Sequence, residues 1–211
     1  MVLLSCWLET LQVFNVDSIA ANQAFSEIFT AYSHSSRYYH NLQHIQQVLN
    51  TIDSLQSFAQ DLASIKLAAW LHDVVYNSQA SDNEERSAEY TATLLQNLGV
   101  PLGTIANVTR LILQTKHHQA DDIDSQILLD ADLAILAASS VDYHQYAQAI
   151  RQEYIWLTDS EYILGRKRVL ENFLMRLPLY HTPLMYTTCE NFAHSNMQTE
   201  INYLTKLSQV F

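Results

Sequence analysis

The stretch Ala68-Ala69-Trp70-Leu71-His72-Asp73-Val74-Val75-Tyr76 sets an imidazole and a carboxylate side by side inside an apolar run. Apolar positions at Ile65, Leu67, Ala68, Leu71 and Val75 predict one helix, opening at Asp61 and carrying the His-Asp pair within it. A carboxylate among such neighbours is costly unless it is paired or bound to a cation. The same conflict recurs at Asp130 and Asp132, which are flanked by Leu128, Leu129, Leu133, Ile135 and Leu136. Neither stretch contains lysine or arginine. A divalent cation held by imidazole and carboxylate neutralises all three aspartates at once. The other readings are that the aspartates are exposed or cap local turns, and that a histidine in a helix is a hydrogen-bonded core residue.

Outward from these stretches the chain reads as helix after helix. Met1–Phe14 predicts a first helix, and Asp17 or Ser18 caps a second running to about Ser33. Leu42, Ile45, Val48, Leu49 and Ile52 mark a helix from about Asn41 to Phe58, and helical continuity through His40 and His44 would put both on one face. Ser81 and Glu84 form a predicted capping box, and Gly99 with Pro101 ends the helix that follows. Helices are expected from Leu102 to Lys116 and from Gln126 to Ala138, with an acidic loop at Asp121–Asp124 between them. Val141–Leu157 and Asp159–Met175 read as an antiparallel pair separated by a second capping box, Thr158 with Glu161. Leu177–Thr187 reads as an ordered loop, and Thr187 with Glu190 caps a last helix to about Val210. The result is an all-α fold of eight to ten helices in a single domain over residues 1–211. Its metal-site core spans about 37–175, and the C-terminal helix, about 187–210, packs on it.

Composition agrees. The 211 residues include only three glycines and three prolines, whereas 48% are hydrophobic, which favours helices around a sizeable core. The net charge of -11 argues against a nucleic-acid or anionic-membrane partner. A small phosphorylated substrate remains compatible with it, through a metal and a few local basic groups. Two cysteines without metal-ligand spacing fit a reducing cytoplasm. The apolar start lacks a basic leader and is interrupted by Glu9, so no signal peptide or membrane span is expected. Tyrosine-rich helices such as Val141–Leu157 belong to the core or to a homodimer contact.

In order and in helical context, His44, His72-Asp73 and a later aspartate resemble the HD superfamily of metal-dependent phosphohydrolases. The resemblance is closer to a bacterial subgroup of predicted HD phosphohydrolases. It is carried by RYYHNLQHI, AAWLHDVVY, DNEERSAEY, TKHH, LDADLAIL, YAQAIRQEY and GRKRVLENFL, between Arg37 and Leu174. It implies an HD-type bundle and a divalent ion (Mn, Co, Ni, Fe, Zn or Mg) held by His44, His72, Asp73 and Asp132. Asp132 is favoured over Asp130 because relatives carry the ligand at the end of such a triplet. The implied reaction is hydrolysis of a phosphoester or phosphoanhydride of a small molecule, a nucleotide, through a metal-activated water, with Asp73 at the reacting centre. One departure is Tyr76, which stands where bacterial HD 5′-nucleotidases carry a glutamate.

Around this set, Glu84 either orients the water or a ligand histidine, or serves the capping box. His117 and His118 are expected to contact phosphate or a second metal. Arg37, Lys116, Arg151 and Arg166 are candidate phosphate ligands, since arginine engages phosphate oxygens bidentately; for each, a surface ion pair is the competing reading. His40 is a further candidate for substrate binding. Because ligating histidines must be neutral, activity is expected to fall below about pH 6. Two other functions stay open: a nucleotide-binding HD module without turnover, and a dinuclear-iron HD oxygenase.

Overall fold

Every residue from Ile65 to Leu71 except Lys66 is fully buried, and a helix apolar all round belongs at the centre of a bundle. The computed structural model describes residues 2–208. Among them are ten α-helices and no strand. The chain divides into two compact units, one ending at Asp132 and the other starting at Leu133.

The first unit contains α1 (Val2–Gln12), α2 (Ser18–Tyr32), α3 (Leu42–Leu55), α4 (Leu62–Leu71), α5 (Asn83–Asn97), α6 (Leu102–Thr115) and α7 (Ile123–Asp132). Helix α4 packs on α1, α3, α5, α6 and α7. Asp61 caps it by accepting from the Ser64 N–H at 3.0 Å. Asp124, at the start of α7, accepts from the N–H groups of Gln60 and Asp61 at 2.8 and 3.0 Å. Asp124 is 6% exposed, and these bonds satisfy its carboxylate while tying the entry of α4 to the entry of α7. Near the other end of α4, Trp70 packs edge-on against Trp7 and Phe25, with ring centroids 5.7 and 6.2 Å away. The Tyr32 hydroxyl donates to the Trp70 carbonyl at 3.0 Å.

The second unit holds a 3₁₀ turn (Leu133–Ala137), α8 (Ser140–Glu153), α9 (Asp159–Leu174) and α10 (Pro183–Leu207). Helix α10 packs on the turn and on α9. Arg166 and Glu200, both more than nine-tenths buried, form a two-pronged ion pair at 2.8 and 3.0 Å. The Tyr143 hydroxyl donates to the same carboxylate at 2.6 Å.

Several boundaries differ from the sequence expectation. Asn41 caps α3 by accepting from the Gln43 and His44 N–H groups, so Arg37 and His40 precede the helix and His40 does not share its face with His44. Helix α4 stops at Leu71, which leaves His72 as its C-cap and Asp73 in the turn beyond. Asp82, not Ser81, is the N-cap of α5, and no side-chain cap bond forms there. Helix α7 starts earlier than expected and tightens into the 3₁₀ turn after Asp132. The last helix starts at Pro183, where a proline lacking its N–H is tolerated, so the expected loop is shorter. The expected end at Val210 lies outside the described residues. The Thr158–Glu161 capping box is present, as is the stop at Gly99, whose φ of 74° suits glycine.

Replacing Glu200 with alanine leaves the Arg166 charge buried without its counter-ion. A loss of about 3–5 kcal/mol is expected from equilibrium denaturation. A loss below about 1 kcal/mol would show that Arg166 is not left as an uncompensated buried charge.

Candidate metal centre

Three helix ends and one turn meet in the first unit. His44 lies in the first turn of α3, His72 closes α4, Asp73 follows it, and Asp132 is the last residue of α7. The His44 and His72 Nε2 atoms face each other at 3.3 Å. Asp132 Oδ1 lies 3.2 Å from His44 Nε2 and 3.5 Å from His72 Nε2. Each of these three residues offers one ligand atom, all within 4.8 Å of one another, so together they could hold a metal ion. Asp73 Oδ2 borders the group, 3.1 Å from His72 Nε2 and 3.9 Å from His44 Nε2.

The local structure aims these atoms. His72 Nδ1 donates to the Ala69 carbonyl at 3.0 Å, which directs Nε2 into the cluster. The turn after Leu71 brings the Asp73 carboxylate beside that nitrogen. Asp130, two residues before Asp132, is rotated by roughly 200° around α7; it is buried and outside the ligand group. His118 Nε2 donates to the other oxygen of Asp132 at 3.3 Å. His118 has φ of 48°, a left-handed conformation unusual for a residue with a side chain.

The charges are mutually dependent. Burial lowers the pKa of His44 and keeps it neutral. Burial opposes the charge on His72 too, but Asp73 and Asp132 outweigh it and raise His72 well above the ordinary histidine value. Burial would raise Asp73, yet His72 and His40 hold its carboxyl far below the usual range. Asp132 is likewise depressed against burial, by bonds from His118, His44 and His72. Both imidazoles are 2% exposed, whereas Asp73 and Asp132 keep 15% and His118 19% of their side-chain surface. The cluster is therefore sealed on its imidazole side and open on its carboxylate side.

The other expected site residues divide sharply. Arg37 Nη1 donates to the carbonyls of Asp73 and His40 at 2.6 and 3.1 Å, and Nη2 donates to that of Val74 at 2.8 Å. Its guanidinium lies 4.9 Å from the Tyr32 ring centroid and 5.6 Å from that of Tyr76. Arg37 thus clamps the turn carrying Asp73 to the turn carrying His40, a role the sequence reading missed by making it a phosphate ligand. His40 lies beside the cluster, stacked on Tyr76 at 4.2 Å with its ring 5.9 Å from that of His44. Lys116 pairs with Glu85 and donates to the Ser81 carbonyl. Glu84 is half-buried in the first turn of α5, His117 is exposed, and neither belongs to the ligand group.

Arg151 and Arg166 lie in the second unit, engaged by local partners. Arg151 bonds to Asp159 and to the carbonyls of Tyr154 and Leu157. The Arg166 guanidinium is held by Glu200 and the Tyr146 hydroxyl. Both arginines therefore form ion pairs, the competing reading for each, with Asp159 and Glu200.

No protein-family model matches the chain, and no curated protein or solved structure matches it.

Two outcomes follow from this geometry. Arg37→Ala should release the Asp73 turn and weaken Mn²⁺ binding about 10–100-fold by isothermal titration, the range for outer-shell partners. Unchanged affinity would contradict the clamp. The second concerns pH. In the metal-free protein the raised His72 contributes stability that is complete below the ordinary histidine value and is lost as pH rises through its raised value. The depressed Asp73 and Asp132 contribute stability that is complete above the ordinary carboxylate range and is lost as pH falls through their lowered values. Melting temperature should therefore be highest between the two. Mn²⁺ binding near neutral pH should release a proton from His72, read as a heat that changes with the buffer's ionisation enthalpy. A buffer-independent heat would contradict this protonation state.

Proposed function

We propose that this protein is a metal-dependent phosphohydrolase of the HD type, acting on a phosphoester or phosphoanhydride of a small molecule, a nucleotide. One observation carries the reading. Two imidazole nitrogens and an aspartate oxygen from three separate helices converge within 4.8 Å, and the Asp73 carboxylate borders them. Their order along the chain is that of the HD signature.

The residues fit a divalent ion. Two imidazoles with carboxylates make a mixed nitrogen and oxygen donor set, which suits Mn, Fe, Co, Ni or Zn better than Mg. His44 and His72 would hold the ion from the buried side, and Asp132 with Asp73 from the open side. Such an ion supplies Lewis acidity toward a phosphoryl oxygen and lowers the pKa of a water.

The chain's own groups do the rest. Asp132 is fixed between the imidazoles and His118, so its orientation does not depend on substrate. Arg37 and Lys116 are committed to backbone carbonyls and Glu85. We assign phosphate contact to His118, which bonds Asp132, and to His40, whose charge acts on Asp73. Tyr76 in place of a glutamate turns the reading away from the nucleotide monophosphatase branch and toward pyrophosphohydrolase activity or another phosphoester. No helix among the described residues is long and apolar enough to cross a membrane. Cys6 and Cys189 are unpaired, which supports a reducing compartment, the cytoplasm.

One observation favours a second reading. His118, on the second oxygen of Asp132, would add a nitrogen ligand of the kind a dinuclear-iron oxygenase requires.

The test is a phosphate-release screen over nucleoside mono-, di- and triphosphates and simple phosphomonoesters with Mn²⁺, Co²⁺, Ni²⁺ or Mg²⁺. At least one substrate should turn over, and Asp73→Ala should reduce its rate by about 100-fold or more. No release above that of Asp73→Ala with any substrate would overturn the reading in favour of a binding module. Two irons per chain together with oxygen-dependent turnover would establish the oxygenase instead.

A further inference from the structure

A cavity of about 590 Å³ lies wholly within the second unit, among α8, α9 and α10. Its volume is that of a small-molecule site. It shares no residue with the metal centre, so nothing about it rests on the proposed reaction. Tyr143, Ala147, Tyr162, Tyr203, Leu204 and Leu207 supply apolar and aromatic walls. Glu200 also lines it, 8% exposed and held by Arg166 and Tyr143.

The hydrogen bonding around Glu200 is one-sided. Arg166 directs its N–H groups to Glu200 and Tyr146, and Tyr143 gives its hydroxyl proton to Glu200. Asn196 donates through Nδ2 to the carbonyls of Leu136 and Ala138, both at 2.9 Å. Thr199 donates to the Ser195 carbonyl at 2.7 Å. These donors are spent inside the protein. What these lining groups retain is acceptor capacity: Asn196 keeps its amide oxygen and Thr199 its lone pairs. Glu200 accepts three bonds, fewer than the about four a carboxylate can take. The hydroxyls of Tyr162 and Tyr203 can serve either way.

Charge is balanced as well. Glu200 is paired with Arg166, and Asp159 with Arg151 at 2.7 Å, so the lining offers no uncompensated charge from either pair. Burying an ion pair gives little net stability compared with an apolar replacement, so the Arg166–Glu200 pair is poorly explained by stability alone. As the floor of a ligand site it has a use, because it presents an oriented acceptor that attracts a donor without demanding a cation.

We propose that this cavity is a second binding site, for a neutral fused-ring molecule carrying an O–H or N–H donor that Glu200 accepts while the tyrosine rings stack on its faces. Ring faces suit the aromatic walls, the absence of net charge follows from the paired lining, and the donor follows from the spent donors around Glu200.

The probe is 2-naphthol, neutral at pH 7, with 2-methoxynaphthalene as the matched ring that lacks the donor. Fluorescence titration of the full-length protein should give saturable 2-naphthol binding with one site per chain. Its affinity should be at least about tenfold higher than that of 2-methoxynaphthalene, the worth of one hydrogen bond to a charged acceptor. Ala147→Trp on α8 and, separately, Thr199→Trp on α10 should abolish binding. Mn²⁺ affinity and the circular dichroism melt, read in parallel, identify variants that remain folded, and either one suffices. Absence of saturable binding would overturn the proposal. So would equal affinity for the two probes, or undiminished binding to a folded variant. Loss of phosphatase activity with any substrate would leave these outcomes unchanged, so the two readings fail separately.

Discussion

Two carboxylates face two buried imidazoles at the closed end of an apolar helix, and the surrounding structure is arranged to make that encounter tolerable. A bare carboxylate at this depth is costly. The protein lowers that cost by placing Asp73 and Asp132 within 3.1–3.9 Å of imidazole nitrogens and by leaving only their outer edge to solvent. The imidazoles gain in return. His72 is fixed by a backbone carbonyl and drawn toward the carboxylates, and His44 stays neutral because it is buried. Fixed in orientation and bordered by two carboxylates, these groups could hold a metal ion, which would take over the charge that His72 otherwise carries.

Helix α4 makes this possible by burying every residue from Ile65 to Leu71 except Lys66. Five helices pack on it, its entry is tied to α7 through Asp124, and Tyr32 and Arg37 bind carbonyls at its exit. The exit of a helix carries partial negative charge, and none of its last-turn residues is basic. Arg37 comes from a preceding turn to that end, and its fork reaches three carbonyls at once. A lysine in the same place offers a point charge without that geometry.

The fold class was readable because its signals are local: few turn residues, helical spacing of apolar positions, and caps such as Asp61 and Thr158 within three residues of the groups they satisfy. His44, His72 and Asp132 were readable for a different reason, since polar groups of one chemistry kept recurring in apolar runs. The exact helix ends were not. Val74 and Val75 continue the apolar pattern past Leu71, so nothing in the sequence marks the turn that brings Asp73 beside His72. The partners of Arg166 and Arg37 were not legible: Glu200 lies 34 residues from Arg166, and Arg37 binds backbone carbonyls that no side-chain pattern announces. The start of α10 at Pro183 was legible in principle, since proline is favoured at the first helical position, but the neighbouring prolines suggested a loop.

The account stands on a shared cation, and crystals grown with Mn²⁺ and measured at its absorption edge test that directly. The expected result is one strong anomalous peak within about 2.0–2.3 Å of His44 Nε2, His72 Nε2 and an Asp132 oxygen. Density showing these side chains turned apart, with no peak between them, would contradict it.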